Sequence, residues 1–224
     1  MATLLLRLAG PLQAWGVQSL YDVRDSGREP SKSGVIGLLC AALGRPREAD
    51  VGDLAALRFG VRVDREGRLS SDYQTWQAIG PKGKMTDCGV SRRYYLADAV
   101  FLAGLEGPAA LLEQIQEALR RPRWALCLGR KAFVPSQPIR LEDGLRTGES
   151  LEEALRLYPW LGGREVPPQR LRVALEAAAG QPDPAGVVGV TLRADVPLSF
   201  AERRFASRRV LTLMYDNPGS KEEA

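Results

Sequence analysis

Two stretches decide the reading of this 224-residue chain. The first is Leu4-Leu5-Leu6-Arg7-Leu8, stopped at Gly10-Pro11. The second is Pro30-Ser31-Lys32-Ser33-Gly34, opening onto Val35-Ile36-Gly37-Leu38-Leu39-Cys40-Ala41-Ala42-Leu43 before Gly44. A short continuous apolar run ended by a Gly-Pro breaker reads as a strand buried on both faces. The second stretch reads as a helix, with Ser33 as candidate N-cap and Gly44 as the C-terminal stop. A strand therefore feeds a loop carrying Arg28 and Lys32, and that loop opens a helix. The unpaired N–H groups of a helix start, set beside two cations, make a seat for phosphate.

Working outward, residues 50–57 allow a short helix, and Phe59-Gly60-Val61-Arg62-Val63 alternates as a strand. Glu66-Gly67 reads as a turn that returns Leu69 to Trp76 as the hairpin partner of that strand. Residues 77–92, with Pro81, Lys82, Gly83, Lys84 and Gly89, carry little apolar pattern and read as an exposed, mobile excursion. Arg93 to Ala103 resumes as a strand. Pro108 opens a helix with Leu111, Leu112, Ile115 and Leu119 on one face. Trp124 to Leu128 reads as a further short strand.

The order strand, helix, strand, strand, helix, strand is the ferredoxin-like split pattern, with an insertion between its middle strands. It predicts an α+β fold with an antiparallel sheet and both helices on one face. We expect a domain over residues 1–134, with the insertion at about 77–92, and a smaller β-rich part over 135–224. In that second part Ser150-Leu151-Glu152-Glu153 is a capping-box sequence opening a helix to Tyr158. Leu171 to Leu175, Gly186 to Ala194 and Arg209 to Tyr215 read as strands, and 217–224 as a frayed tail.

Composition narrows the chemistry. The net charge is +4, and 26 of the 31 basic residues are Arg. Arg suits phosphate and base-edge recognition, although a GC-rich coding sequence raises Arg together with Ala, Pro and Gly. The charges cluster at Arg92-Arg93, Arg120-Arg121-Pro122-Arg123, Arg130-Lys131, and Arg203-Arg204 with Arg208-Arg209. There is no histidine, which excludes Ser-His-Asp and Cys-His nucleophilic machinery. Cys40, Cys88 and Cys127 are an odd number without paired spacing, so neither a disulfide framework nor a zinc site is expected. No apolar run approaches the roughly 18 residues of a membrane span, and the apolar N-terminal stretch is too short for a signal peptide. We expect a cytoplasmic protein with no membrane partner, no cofactor and no metal.

The motifs keep two readings each. Gly27 to Ser33 fails the G-x-x-x-x-G-K-[ST] phosphate loop, because Ser31 precedes Lys32 and the spacing is one residue short. A capped helix start or anion contact without hydrolysis remains. Trp15, between Gln13 and Gly16, reads as a buried packing residue or as part of a ledge for RNA. Lys82, Lys84 and Arg92-Arg93-Tyr94-Tyr95 read as a solvated hairpin or as a finger wrapping single-stranded nucleic acid. Glu142-Asp143 and Glu152-Glu153 do not make a catalytic carboxylate pair.

Five blocks in order carry a resemblance. They are Leu6 to Gly16, Pro30 to Leu39, Asp72-Tyr73-Gln74-Thr75 with Arg93 to Ala99, Leu128-Gly129-Arg130-Lys131, and Arg204-Phe205-Ala206-Ser207-Arg208. Together they resemble the CasD-type subunits of the type I-E CRISPR surveillance complex, Cascade, in the RAMP superfamily. The resemblance implies a ferredoxin-like, RRM-related domain with a protruding thumb hairpin at the 77–92 insertion. It implies a subunit that holds the 5′ handle of CRISPR RNA, contacts the backbone subunits and the large PAM-reading subunit, and reaches target DNA indirectly. The RNA-binding residues we expect on this basis are Gln13, Trp15, Arg28, Lys32, Ser33, Lys82, Lys84, Arg92, Arg93, Arg130, Lys131, Arg204 and Arg208, with no catalytic residue. In related type I-C systems the corresponding subunit cuts precursor RNA. Tyr94 or Tyr95 with Lys82 or Lys84 would be the remnant of that chemistry here, so a metal-independent endoribonuclease is the alternative.

Overall fold

A computed structural model describes residues 1–16, 23–81, 83–163, 166–180 and 182–221. In chain order its elements are β1 (Ala2–Ala9), β2 (Leu12–Gln13), β3 (Val23–Arg24), α1 (Lys32–Leu43), α2 (Gly52–Ala55), β4 (Arg58–Arg65), β5 (Arg68–Ile79), β6 (Met85–Ala97) and β7 (Val100–Gly107). They continue with α3 (Ala109–Arg120), β8 (Arg140–Thr147), α4 (Leu151–Leu157), β9 (Arg170–Glu176), β10 (Val187–Ser199) and β11 (Arg204–Asp216), and a 3₁₀ turn at Pro218–Lys221.

The apolar run in β1 dictates its place. Leu4, Leu5, Leu6 and Leu8 are wholly withdrawn from water, at about 2 kcal/mol apiece. Successive side chains on a strand point to opposite faces, so both faces must be covered. Leu4, Leu6 and Leu8 join a core with Val35, Ile36 and Leu39 of α1 and Leu112, Ile115 and Leu119 of α3. Leu5 joins a second core on the opposite face, with Leu151, Ala154 and Leu155 of α4 and with Leu175 and Leu211. The helix α4 lies close because Gly60 and Gly104, directly paired across β4 and β7, have no Cβ. A Cβ at either would come within 2.8 Å of Leu155 or 2.6 Å of Leu151.

The main sheet has seven strands in the order β10-β11-β9-β4-β7-β1-β8, and every pairing in it is antiparallel. Strands from both sides of residue 135 share it. β8 extends it beyond β1, while β9, β11 and β10 extend it beyond β4. A second sheet is centred on β6, which pairs antiparallel with β5 and β2 and parallel with β3.

Several local expectations are corrected. The N-cap of α1 is Ser31, not Ser33: the Ser31 hydroxyl accepts from the Gly34 N–H, and Ser33 already lies in the first turn. Gly44 does end the helix, with φ 73°. Trp124 to Leu128 is not a strand, because the Arg123 and Trp124 N–H groups donate to the last carbonyls of α1, Ala42 and Ala41. The sheet position expected for it is filled by β8. Leu69 to Trp76 does not pair with β4, whose two edges are taken by β7 and β9. It turns away at Gly67 (φ 68°) and runs with β6 from Arg68↔Ala97 to Ile79↔Met85.

The excursion expected over 77–92 is consequently mostly strand, and only residues 80–84 separate the two arms. Gly89 reads as a breaker in sequence, but the Trp76 indole lies across it from the opposing strand, restoring the contact glycine lacks. Finally, Arg93 to Ala103 is two strands. Asp98, with φ 58°, turns the chain from the second sheet into the first. The capping box at Ser150 and Glu153 forms as read.

Candidate nucleic-acid interface

The residues expected near RNA separate into an inward set and an outward set. Gln13 and Trp15 are inward. Gln13 donates through Nε2 to the carbonyls of Leu8 (3.1 Å) and Ala99 (2.8 Å), tying the end of β1 to the corner where β6 becomes β7. The Trp15 indole N–H donates to Gln13 Oε1 at 3.1 Å. Its ring lies on Gly34, where a Cβ would come within 2.8 Å. Trp15 is 1% exposed, so of its two readings the packing one holds in this structure.

Lys32 and Arg208 are also inward. The Lys32 N–H, at the start of α1, donates to Asp195 at 2.8 Å. Its ammonium donates to both oxygens of Glu176, at 2.9 and 3.1 Å. Arg208 makes a two-point contact with Asp195, at 2.6 and 2.9 Å, and its guanidinium lies 5.2 Å from the Phe59 ring centroid. Burial pushes the Lys32 ammonium below its usual range, and Glu176 opposes that shift only in part. The anion at this helix N-terminus is thus the protein's own carboxylate, which is the favourable partner for that dipole. It fastens the β10–β11 hairpin to α1. The sequence shows cations at the helix start but not the carboxylates that meet them, which lie more than 140 residues away.

Part of the outward set converges elsewhere. Parallel pairing of β3 with β6 puts Arg24 beside Arg93. The turn at 129–133 brings Arg130, Lys131 and Phe133 against the same face. The result is a cleft of about 780 Å³ lined by Arg24, Arg93, Tyr95, Arg130, Lys131 and Phe133, with Asp72 and Gln74 on its β5 side. Arg130 donates to the Tyr94 carbonyl at 2.8 Å and to the Arg24 carbonyl at 3.3 Å. Its guanidinium lies 5.4 Å from the Phe133 centroid, and Tyr95 meets Phe133 edge-on at 5.9 Å. Burial pushes the Arg130 pKa down, and repulsion from Arg93 and Arg24 pushes it further. Cations held this close, beside partly buried aromatic rings, are matched by a polyanion with stackable bases.

Sequence reasoning found Arg93, Arg130 and Lys131 and missed Arg24 and Phe133. Nothing local marks Arg24: a two-residue parallel pairing brings it in. Arg92 is exposed on β6 opposite Tyr73, and Lys84 is exposed near the hairpin tip. Arg28 is exposed at a separate hollow with Glu29, Arg172 and Arg193. Ser33 is half-buried on α1. Arg204 is exposed and paired with Glu202 at the start of β11. Lys82 lies outside the described residues. Among the described residues no group of three or more Cys, Asp or Glu converges as metal ligands. No helix among them is long and apolar enough to cross a membrane.

Comparisons with known proteins bear on the same residues. The family model described as "CRISPR-associated protein (Cas_Cas5)" matches residues 3–211. The chain is 33% identical over 180 residues to the CRISPR system Cascade subunit CasD of Escherichia coli (strain K12), covering 71% of this chain and 78% of that one. A solved structure titled "Crystal structure of Cas protein" superposes with a TM-score of 0.74 at 47% identity, covering 96% of this chain and 99% of that one. A chain from a "CRISPR RNA-guided surveillance complex" superposes with a TM-score of 0.79 at 33% identity, covering 97% and 92%. A match over nearly the whole chain, in sequence and in backbone, makes this protein a member of the Cas5 family of CRISPR-associated proteins, of the kind found as the CasD subunit of Cascade.

Proposed function

We propose that the chain is a non-catalytic RNA-binding subunit of a CRISPR surveillance complex, holding the 5′ handle of CRISPR RNA in the basic cleft. The observation that carries the proposal is the convergence of Arg24, Arg93, Arg130 and Lys131 with Tyr95 and Phe133 in one cleft. These residues come from separate parts of the chain. In this reading phosphate contacts give affinity, and splayed bases against the two rings give the handle its fixed path.

The run β4-β7-β1-β8, with α1 and α3 on one face, supports a ferredoxin-like unit. The β5–β6 hairpin is then the thumb. Its exposed Tyr73, Ile79 and Met85 suit contact with backbone subunits, next to the large PAM-reading subunit, and target DNA is met only through the RNA. The relative named as a Cascade subunit and the neighbour drawn from an RNA-guided complex support membership of such an assembly.

The test is a salt titration of binding between the full chain and a short single-stranded RNA taken from the CRISPR repeat. Each phosphate contact contributes about 0.7 to the slope of log K against log salt for single strands. Arg93→Ala and Lys131→Ala should each lower the slope by about that amount and leave the RNA intact in EDTA. Unchanged slopes refute the cleft assignment. Cleavage in EDTA that disappears on replacing Tyr94 and Tyr95 replaces the binding role with a nuclease.

A further inference from the structure

A second cleft, of about 410 Å³, lies on the other side of the 129–131 turn, over the exposed side of α1. Its floor is Gly37 and Ala41, and Trp124 and Phe200 are among the residues that wall it. Lys131 lines both this cleft and the basic one, so the two meet at that residue.

Gly37 is the informative residue. Glycine in a helix interior weakens the helix relative to alanine, so it usually answers a packing need. Gly34 has such a need, because the Trp15 ring occupies the space of its Cβ. Among the described residues Gly37 has none: a Cβ there would meet only Phe200 Cζ, at an ordinary 3.9 Å. What the missing side chain preserves is the open space above it. Trp124 beside that space is 47% exposed, although its backbone is pinned to the end of α1 through the Ala41 carbonyl at 3.1 Å. The Phe200 carbonyl is held by Arg47 at 3.0 Å. Arg45 at the rim is neutralised by a two-point contact with Asp53, Arg47 also lines the cleft, and Lys131 is the lining cation shared with the basic cleft. An apolar slot with an aromatic wall and a cationic entrance shared with a strand-binding cleft matches a nucleobase turned out of that strand.

We infer that this cleft takes one base of the RNA whose backbone lies in the basic cleft, stacked against Trp124 over Gly37. The inference rests on the proposed RNA-binding role and adds a base subsite to it. A leucine at position 37 would fill the slot without touching the basic residues, and an alanine would narrow it. The test uses the full chain and the repeat-derived single-stranded RNA, with one abasic site moved through every position.

In the wild-type protein one abasic position should weaken binding by about tenfold, the order of one base–aromatic stack. Gly37→Leu should bind intact RNA about tenfold more weakly and show no further loss at that position, while its response to all others is unchanged. Gly37→Ala should fall between wild type and Gly37→Leu, and the melting of all three proteins verifies their folding. Trp124→Ala should show the same loss of response without filling the slot. If Gly37→Leu binds intact RNA normally, or stays sensitive to the same abasic site, the inference is overturned. If it weakens only assembly with protein subunits, the slot holds a protein side chain and the inference is likewise overturned. Failure of the wild-type chain to bind RNA at all refutes the role itself, and the subsite with it.

Discussion

Replacing Lys32 with Met separates a structural cation from an RNA-binding one. In the sequence Lys32 sits in a basic loop before a helix; in the fold its side chain is 2% exposed and pairs with Glu176 at 2.9 Å. Removing one partner of a buried pair costs about 3–5 kcal/mol, because the other charge stays buried. The lower bound applies here. Glu176 keeps the Phe59 N–H at 3.1 Å and Arg208 at 3.8 Å, and its side chain is 18% exposed. A loss of about 3 kcal/mol in a chain of this size lowers the melting temperature by about 6–12 °C. Calorimetry of the variant reads that shift directly. RNA binding measured well below the transition should keep the wild-type salt slope, since no phosphate contact is lost. A melting temperature within about 3 °C of wild type, together with a salt slope lower by about 0.7, would show that Lys32 faces RNA and that the buried assignment is wrong.

Two further outcomes follow from the same physics. Arg62 is fully buried, pairs with Asp64, and donates to the carbonyls of Leu155, Tyr158 and Pro159 at the end of α4. Arg62→Met should therefore destabilise by at least 3–5 kcal/mol, and a loss below about 1 kcal/mol in denaturant titration contradicts it. Glu29 bridges Arg172 and Arg193. Burial raises its pKa, but the two guanidinium groups outweigh burial and hold it below the usual 4.5. A depressed carboxylate contributes stability above its unfolded pKa and loses it as pH falls through the folded value. The gap in melting temperature between wild type and Glu29→Gln should stay constant above about pH 5 and close in more acid solution. A gap that widens on acidification refutes the ion-pair account.

Much of the fold was legible because it rests on local pattern. Four leucines in five positions require a strand covered on both faces. Ser150 and Glu153 close a capping box three residues apart. The spacing of Leu112, Ile115 and Leu119 marks one helix face. The misread elements depend on partners distant in sequence. Trp124 to Leu128 has strand composition, but the end of α1 takes its N–H groups. Gly89 survives inside a strand because Trp76 covers it from the facing arm. β5 leaves the main sheet because both edges of β4 are already used.

The site divides along the same line. By itself the sequence determined that the chain is rich in arginine, lacks the histidine that nucleophilic triads need, and carries cations at the α1 entrance, on β6 and at Arg130-Lys131. It did not determine which of those cations meet solvent. A guanidinium or ammonium group has the same composition signature whether it faces a phosphate or a buried carboxylate. The outcome depends on whether folding brings Glu176 and Asp195 to Lys32 and Arg208, or gathers Arg24, Arg93 and Arg130 around an open cleft. Only the tertiary structure decided that. The cost of burying an unpaired charge sorts the cations after the chain has closed, through contacts spanning more than 140 residues.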